Sequence, residues 1–317
     1  MTRRWPELDY AADRPVIETL HAYLQVAGKL PTRALPWCNH SWHLALRVVP
    51  RGFRSYPVEM PEGEAEIIFD CLSSAVAVET STGFADGFEV TGQSVARFHE
   101  QLSDLLRLAG VTADISGAPN EVEHAVPFHQ DTAGRAWDEA TVARLHRAFC
   151  DANRVFERFR SGFVGKSSPS HLFWGSFDLA VTRFSGREAP LHPGGFPNLP
   201  DEVTREAYSH EVASAGFWLG GSGVDEAAFY AYGYPTPSGL ADAEVGPEAA
   251  FWLDSLGEFV LPYAAVRASD DPEGALMQFL ETSYAAVADR GGWDRGALEI
   301  PRGAFGKPYD VEAQRSG

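Results

Sequence analysis

The sequence predicts an α+β protein built from two similar halves, each a mixed or antiparallel sheet with packed helices. Three observations carry this. One long segment has helical apolar periodicity, several short segments alternate with period two, and a helix, Gly-Lys, aromatic loop and strand recur in that order. With 317 residues and 44% hydrophobic content, the chain is long enough for one large or two moderate cores without disulfide staples.

Taken in order, Pro15 after Asp13-Arg14 opens a helix with Ile17, Leu20 and Leu24 on one stripe, ending near Gly28. His40 to Val49 alternates like a strand, with Trp42, Leu44, Leu46 and Val48 on one face. Glu66 to Thr80 reads as two strands around a turn at Cys71 to Ser74, and Gly83 to Gly87 as another turn. Ser94 caps a helix that turns Val95, Phe98, Leu102 and Leu105 inward. Val111 to Ile115 reads as a short strand before a Pro-containing loop.

The clearest helix runs from about Asp138 to Phe163, with Val142, Leu145, Phe149, Ala152, Phe156 and Phe159 at steps of three and four. Strands follow at His171 to Phe184, Val212 to Leu219, Ala227 to Tyr234 and Glu258 to Val266. Pro272-Glu273 starts a last helix, and a loosely ordered polar tail is expected over 301–317. The halves are expected at 1–135 and 136–300, the second carrying the site. The duplication rests on Gly28-Lys29 before Ser41-Trp42-His43-Leu44-Ala45, matched by Gly165-Lys166 before Ser176-Phe177-Asp178-Leu179-Ala180. A cleft between paired halves is a common ligand site.

The net charge of -18 opposes binding to a phosphate backbone or an anionic membrane, so neither nucleic acid nor membrane is an expected partner. Cys38, Cys71 and Cys150 form no CxxC pair, no apolar run spans a bilayer, and no signal-peptide pattern opens the chain, which together predict a cytoplasmic protein. The three lysines, Lys29, Lys166 and Lys307, each follow a glycine, in a chain that otherwise writes its positive charge as arginine. Such lysines suit a role needing a compact, tunable ammonium.

The stretch Gly165-Lys166-Ser167-Ser168-Pro169-Ser170-His171-Leu172-Phe173-Trp174-Gly175-Ser176-Phe177-Asp178 is distinctive. With Thr182-Arg183-Phe184-Ser185-Gly186-Arg187, Tyr208-Ser209-His210-Glu211, Glu258-Phe259-Val260-Leu261-Pro262-Tyr263, Asn39-His40 and Trp5-Pro6, it resembles the bacterial family catalogued as domain of unknown function 5996. The resemblance covers nearly the whole chain and implies no activity, substrate or cofactor.

Chemistry is sought first at histidine, which serves both as metal ligand and as acid or base near neutrality. His171, His192 and His210 with one carboxylate have the ligand types for zinc or iron, although HExxH is absent and each also has a plain structural reading. His171 and His210 are the leading catalytic candidates, assisted by Glu211, Asp178 or Glu258. Lys166, Arg183 and Arg187 are candidates to hold an anionic group, Arg by bidentate bonds. Trp174 and Tyr232 are candidates for an aromatic pocket, since Tyr230, Tyr232 and Tyr234 alternate along one strand face. The Pro- and Gly-rich segment Gly186 to Glu202 has the length and composition of a lid or binding loop. Walker A, GxSxG and strand-following GxGxxG patterns are missing. The expected function is an enzyme acting on a small polar or anionic molecule, with a non-catalytic binder or a scaffold as alternatives; its oligomeric state is open.

Overall fold

The computed structural model describes residues 5–221 and 224–300, and the tail expected over 301–317 lies outside them. The first helix, α1 (Tyr10–Ala27), begins earlier than Pro15 because the Asp9 carboxylate accepts from the Ala12 amide at 3.2 Å and caps it there. A short α2 (Lys29–Ala34) follows. The alternating run from His40 does not become a strand until β1 (Arg47–Val49), because His40 and Ser41 adopt left-handed φ values of 58° and 57°. Of the expected face only Leu46 is buried; Ser41, His43 and Ala45, between the expected positions, are buried instead because a tight turn sets them.

The first sheet continues through β2 (Gly52–Arg54), β3 (Val58–Met60), β4 (Gly63–Asp70), β5 (Ala75–Thr80) and β6 (Ala85–Glu89). All pairings are antiparallel, in the order β1-β2-β4-β5-β6, with β3 paired to β4. The helix capped by Ser94 is α3 (Val95–Leu108), whose Phe98, Leu102 and Leu105 are buried. Residues 111–115 form no strand. The long helix is α4 (Glu139–Arg160), capped by Asp138.

The second sheet comprises β7 (His171–Phe173), β8 (Asp178–Glu188), β9 (His210–Trp218), β10 (Ala228–Tyr234), β11 (Phe251–Leu253) and β12 (Glu258–Pro262). Its order is β11-β12-β10-β9-β8-β7, again antiparallel throughout. The helix α5 (Asp201–Ala207) lies between β8 and β9. The expected last strand stops at Pro262 and gives way to α6 (Tyr263–Ala268), followed by α7 (Pro272–Arg290) and α8 (Arg295–Leu298).

In the second sheet Leu179, Val181, Phe217, Phe229 and Leu261 are buried on the side covered by α4 and α7. The two sheets are stitched at their edges, where Leu46 and Leu172 exchange both backbone hydrogen bonds at 2.8 Å. Each antiparallel sheet is thus preceded and followed in sequence by helices, α1–α2 and α3 for the first and α4 and α6–α8 for the second. The two motifs behind the duplication differ in conformation, since Ser41 to Ala45 is a turn whereas Asp178 to Ala180 enters a strand. The three cysteines are free. No described helix is long and apolar enough to cross a membrane.

Candidate functional site

Strand register decides which side chains share a face. Asp178, Ala180 and Thr182 of β8 stand opposite Trp218, Gly216 and Ser214 of β9, which in turn stand opposite Ala228, Tyr230 and Tyr232 of β10. On this face, away from α4 and α7, Asp178, Ala180, Thr182, Ser214, Tyr230 and Tyr232 line a cavity of about 510 Å³. Its floor belongs to the C-terminal half. Its cover combines α2, the turn at Asn39 to Ser41 and the Asn120-Glu121 loop with α5 and the segment from Phe196 to Pro200.

Asp178 anchors the floor. Its carboxylate accepts hydrogen bonds from the Ser176 and Tyr230 hydroxyls. Tyr230 reaches it by lying across Gly216, where a Cβ would come within 2.3 Å of the ring. Burial pushes the Asp178 pKa up, and the two hydroxyl donors oppose that rise. Glu121 and Glu258 flank it without such donors. Burial first, and the Asp178 charge second, push each of them up to about 7. Behind them, the Tyr208 and Tyr232 hydroxyls are 2.7 Å apart, and burial pushes Tyr208 up to about 12.

Glu121 is held in place by its backbone. It adopts a left-handed φ of 58°, its amide donates to the Pro197 carbonyl at 2.9 Å, and its carboxylate rests against Gly175, where a Cβ would fall 2.1 Å from Oε1. A non-glycine residue in that region is strained, a condition that clusters at functional sites. The neighbouring Asn120 amide group donates to the Asn198 carbonyl at 2.6 Å, and Asn198 donates back to Val122. The loop expected from the sequence between Gly186 and Glu202 is thereby locked to the N-terminal half. Only its second part is irregular, because β8 continues through a bulge between Phe184 and Glu188.

The opposite wall is cationic and aromatic. Lys29 donates to Asn120 Oδ1 and stands 5.1 Å above the Trp174 ring, and burial lowers it to about 8. Trp174 is itself fixed by donating to the Leu44 carbonyl at 2.8 Å and by packing on Gly28. Arg33 also lines the cavity, whereas Lys166 is outside its lining, 2.6 Å from His40 Nε2 and over the Trp42 and Phe184 rings. His40 Nδ1 lies 3.0 Å from the Ala207 carbonyl, so the ring is neutral, donating at Nδ1 and accepting from Lys166.

The other residues singled out by sequence are distributed differently. Trp174, Tyr232 and Asp178 line the cavity, and Glu258 lies close enough for Asp178 to act on it. Arg183 projects to the helix-covered face and is 1% exposed, with its guanidinium beside Glu281 and the Phe159 carbonyl. Arg187 and Glu211 pair with each other at 2.7 Å, and Arg187 also clamps the Gly291 and Gly292 carbonyls at the end of α7. Neither arginine reaches the cavity.

The histidines expected to form a metal site do not converge, and among the described residues no three His, Cys, Asp or Glu side chains group closely enough to hold a metal ion. His192 stacks on Tyr208 and accepts from the Gly194 amide at 3.0 Å. His210 lies beside Ser209 Oγ at the start of β9. His171 is buried against Phe173 with Nδ1 unpartnered, and burial pushes it down to about 3. Sequence reasoning missed Glu121, because a glutamate in an aperiodic loop carries no signal; Lys29 had one, its Gly-Lys setting.

The family of unknown function DUF5996 matches residues 5–300, and the chain belongs to it. No curated protein and no solved structure matches the chain.

Proposed function

We propose that the cavity is the active site of an acid–base enzyme acting on a small polar molecule. The observation that carries this reading is Asp178 beside two carboxyl groups, Glu121 and Glu258, both pushed up to about 7. A carboxyl that titrates near neutrality can both accept and return a proton within one turnover. Asp178, stabilised by two hydroxyl donors, is the member suited to remain ionised. Environments that separate the titration of neighbouring acids assign them different roles. Asp178 and Glu121 line an open volume of about 510 Å³, in the size range of small-molecule sites, with Glu258 close enough to Asp178 to feel its charge.

The test is untargeted. Wild-type protein and its Glu121→Gln and Glu258→Gln variants are incubated with a cellular metabolite extract and followed by mass spectrometry. A substrate consumed and a product formed by the wild type, and lost in either folded variant, supports the reading. A compound that is retained by the protein but never converted makes it a binding protein instead.

A further inference from the structure

Lysine is scarce in this chain, and one of its three lysines stands in the cavity wall. Lys29 lines the cavity while only 8% exposed. Its amine donates to Asn120 Oδ1 and lies 5.1 Å from the Trp174 ring centroid and 5.8 Å from that of Phe128. Among the described residues it forms no ion pair. Its acceptor is a neutral amide in a fixed orientation. Asn120 Nδ2 donates to the Asn198 carbonyl, and the Asn120 backbone is held by both ends of the Gln25 side-chain amide on α1. A buried ammonium with a neutral acceptor and no counter-ion is poorly compensated, so burial favours the free amine. The free amine has the lone pair that an ammonium lacks, and a desolvated lysine of this kind is a nucleophile toward carbonyl carbon.

A second observation concerns the neighbour of Lys29. Arg33 follows it by four residues on α2, lines the same cavity from an exposed position, and forms no ion pair among the described residues either. Its charge reaches Lys29 and opposes protonation there. Two cations without an anion between them suit a ligand that brings one, and a guanidinium offers a carboxylate two parallel hydrogen bonds. Glu121, next to Asn120 in the chain, lines the cavity as well.

Resting on the reading of this cavity as an active site, we propose that Lys29 forms an imine with a small oxo acid, an aldehyde or ketone whose carboxylate meets Arg33. The amine lone pair attacks the carbonyl carbon, a C–N bond forms, and the π pair of the C=O bond moves to oxygen. One N–H proton passes to that oxygen. A second proton, from solvent, lets the oxygen leave as water and gives the protonated imine. Hydrolysis reverses the sequence, so no oxidant or reductant is consumed. The protonated imine draws electrons from the neighbouring carbon and makes its proton acidic, and Glu121 is the base that the acid–base reading already places in the cavity.

Pyruvate with cyanoborohydride tests the step on the full chain, because the reductant fixes the imine as a secondary amine whose position peptide mass spectrometry reads. Lys29 should be modified at least about tenfold faster in the folded chain than in guanidinium chloride, since each unit by which its pKa falls multiplies the neutral amine by about ten. Arg33→Gln should raise the pyruvate concentration for half-maximal modification about tenfold and leave that for propanal, a neutral aldehyde, unchanged. A Lys29 that reacts no faster folded than unfolded overturns the imine. An Arg33→Gln variant that affects both probes alike, or neither, overturns the carboxylate assignment. Lys29→Arg keeps the charge without the nucleophile. Turnover in the metabolite assay that persists in this variant would sink the imine and leave the acid–base reading standing. Trapping at Lys29 with no metabolite converted would do the reverse, so the two failures are separable.

Discussion

Lys166 donates across 2.6 Å to Nε2 of His40, joining the Gly-Lys segment after α4 to the left-handed turn of the N-terminal half. Burial lowers the pKa of both groups, and the Lys166 charge lowers His40 further. Lys166→Met keeps most of the stem but removes the charge and the donor. The His40 pKa should then rise toward its ordinary 6.5, visible in the pH titration of its ring resonances. The lost charge-assisted bond should cost about 1–2 kcal/mol in denaturant unfolding. An unmoved His40 titration would mean that the two side chains do not interact in solution.

Glu121 and Glu258 make a signed prediction for stability. Each has a folded pKa raised from 4.5 to about 7, so in that interval the folded chain holds more protons than the unfolded one. Their contribution is fully present below 4.5, declines as pH rises and is gone above about 7. His40 acts in the opposite sense, because its lowered pKa makes the fold lose stability as pH falls below 6.5. The double variant Glu121→Gln, Glu258→Gln isolates the first effect. Its melting temperature relative to wild type should increase steadily from acidic to neutral pH. A constant difference would show that neither carboxyl is perturbed.

His171 should be silent where an enzyme's acid or base would titrate. Burial holds it down to about 3, so its ring resonances should stay those of neutral imidazole throughout the neutral range. A pH-dependent rate near neutrality that survives in Glu121→Gln and Glu258→Gln but disappears in His171→Asn would reverse this assignment.

Much of the fold was legible because periodicity reports burial. The stripe of Val142, Leu145, Phe149 and Phe156 predicted α4 to within a few residues, and the Ser94 cap placed the start of α3. The same signal failed at Trp42 and Leu44, which are only half-buried while Ser41, His43 and Ala45 between them are buried, because a turn and not a strand runs there. Among the residues that line the cavity, Asp178, Trp174 and Tyr232 were singled out because their strand and turn motifs are distinctive. Glu121 was not, since its carboxyl reaches the cavity only through loop contacts with Pro197 and Gly175 that are remote in sequence. Arg183 and Arg187 carried the right chemistry, but strand parity and a clamp on α7 take them elsewhere.

Arg183 separates the two kinds of cation most sharply. Its guanidinium lies 3.4 Å from the Phe159 ring centroid and 4.4 Å from that of Tyr284, with Glu281 at 3.6 Å, on the face of β8 opposite the cavity. Burial lowers it to about 10, which still leaves it charged at neutral pH. Arg183→Ala removes the packed stem, the stacking and the donor to the Phe159 carbonyl together. Leaving buried partners unmatched in this way should cost on the order of 3 kcal/mol. Arg183→Lys should recover only part of it, because an ammonium cannot reproduce a planar group sandwiched between rings. Neither variant should alter the substrate consumption followed by mass spectrometry under conditions where the protein is folded. A rate lowered about tenfold in folded Arg183→Lys would tie the helix-covered face to the cavity through β8, and the separation of roles argued from strand parity would be wrong.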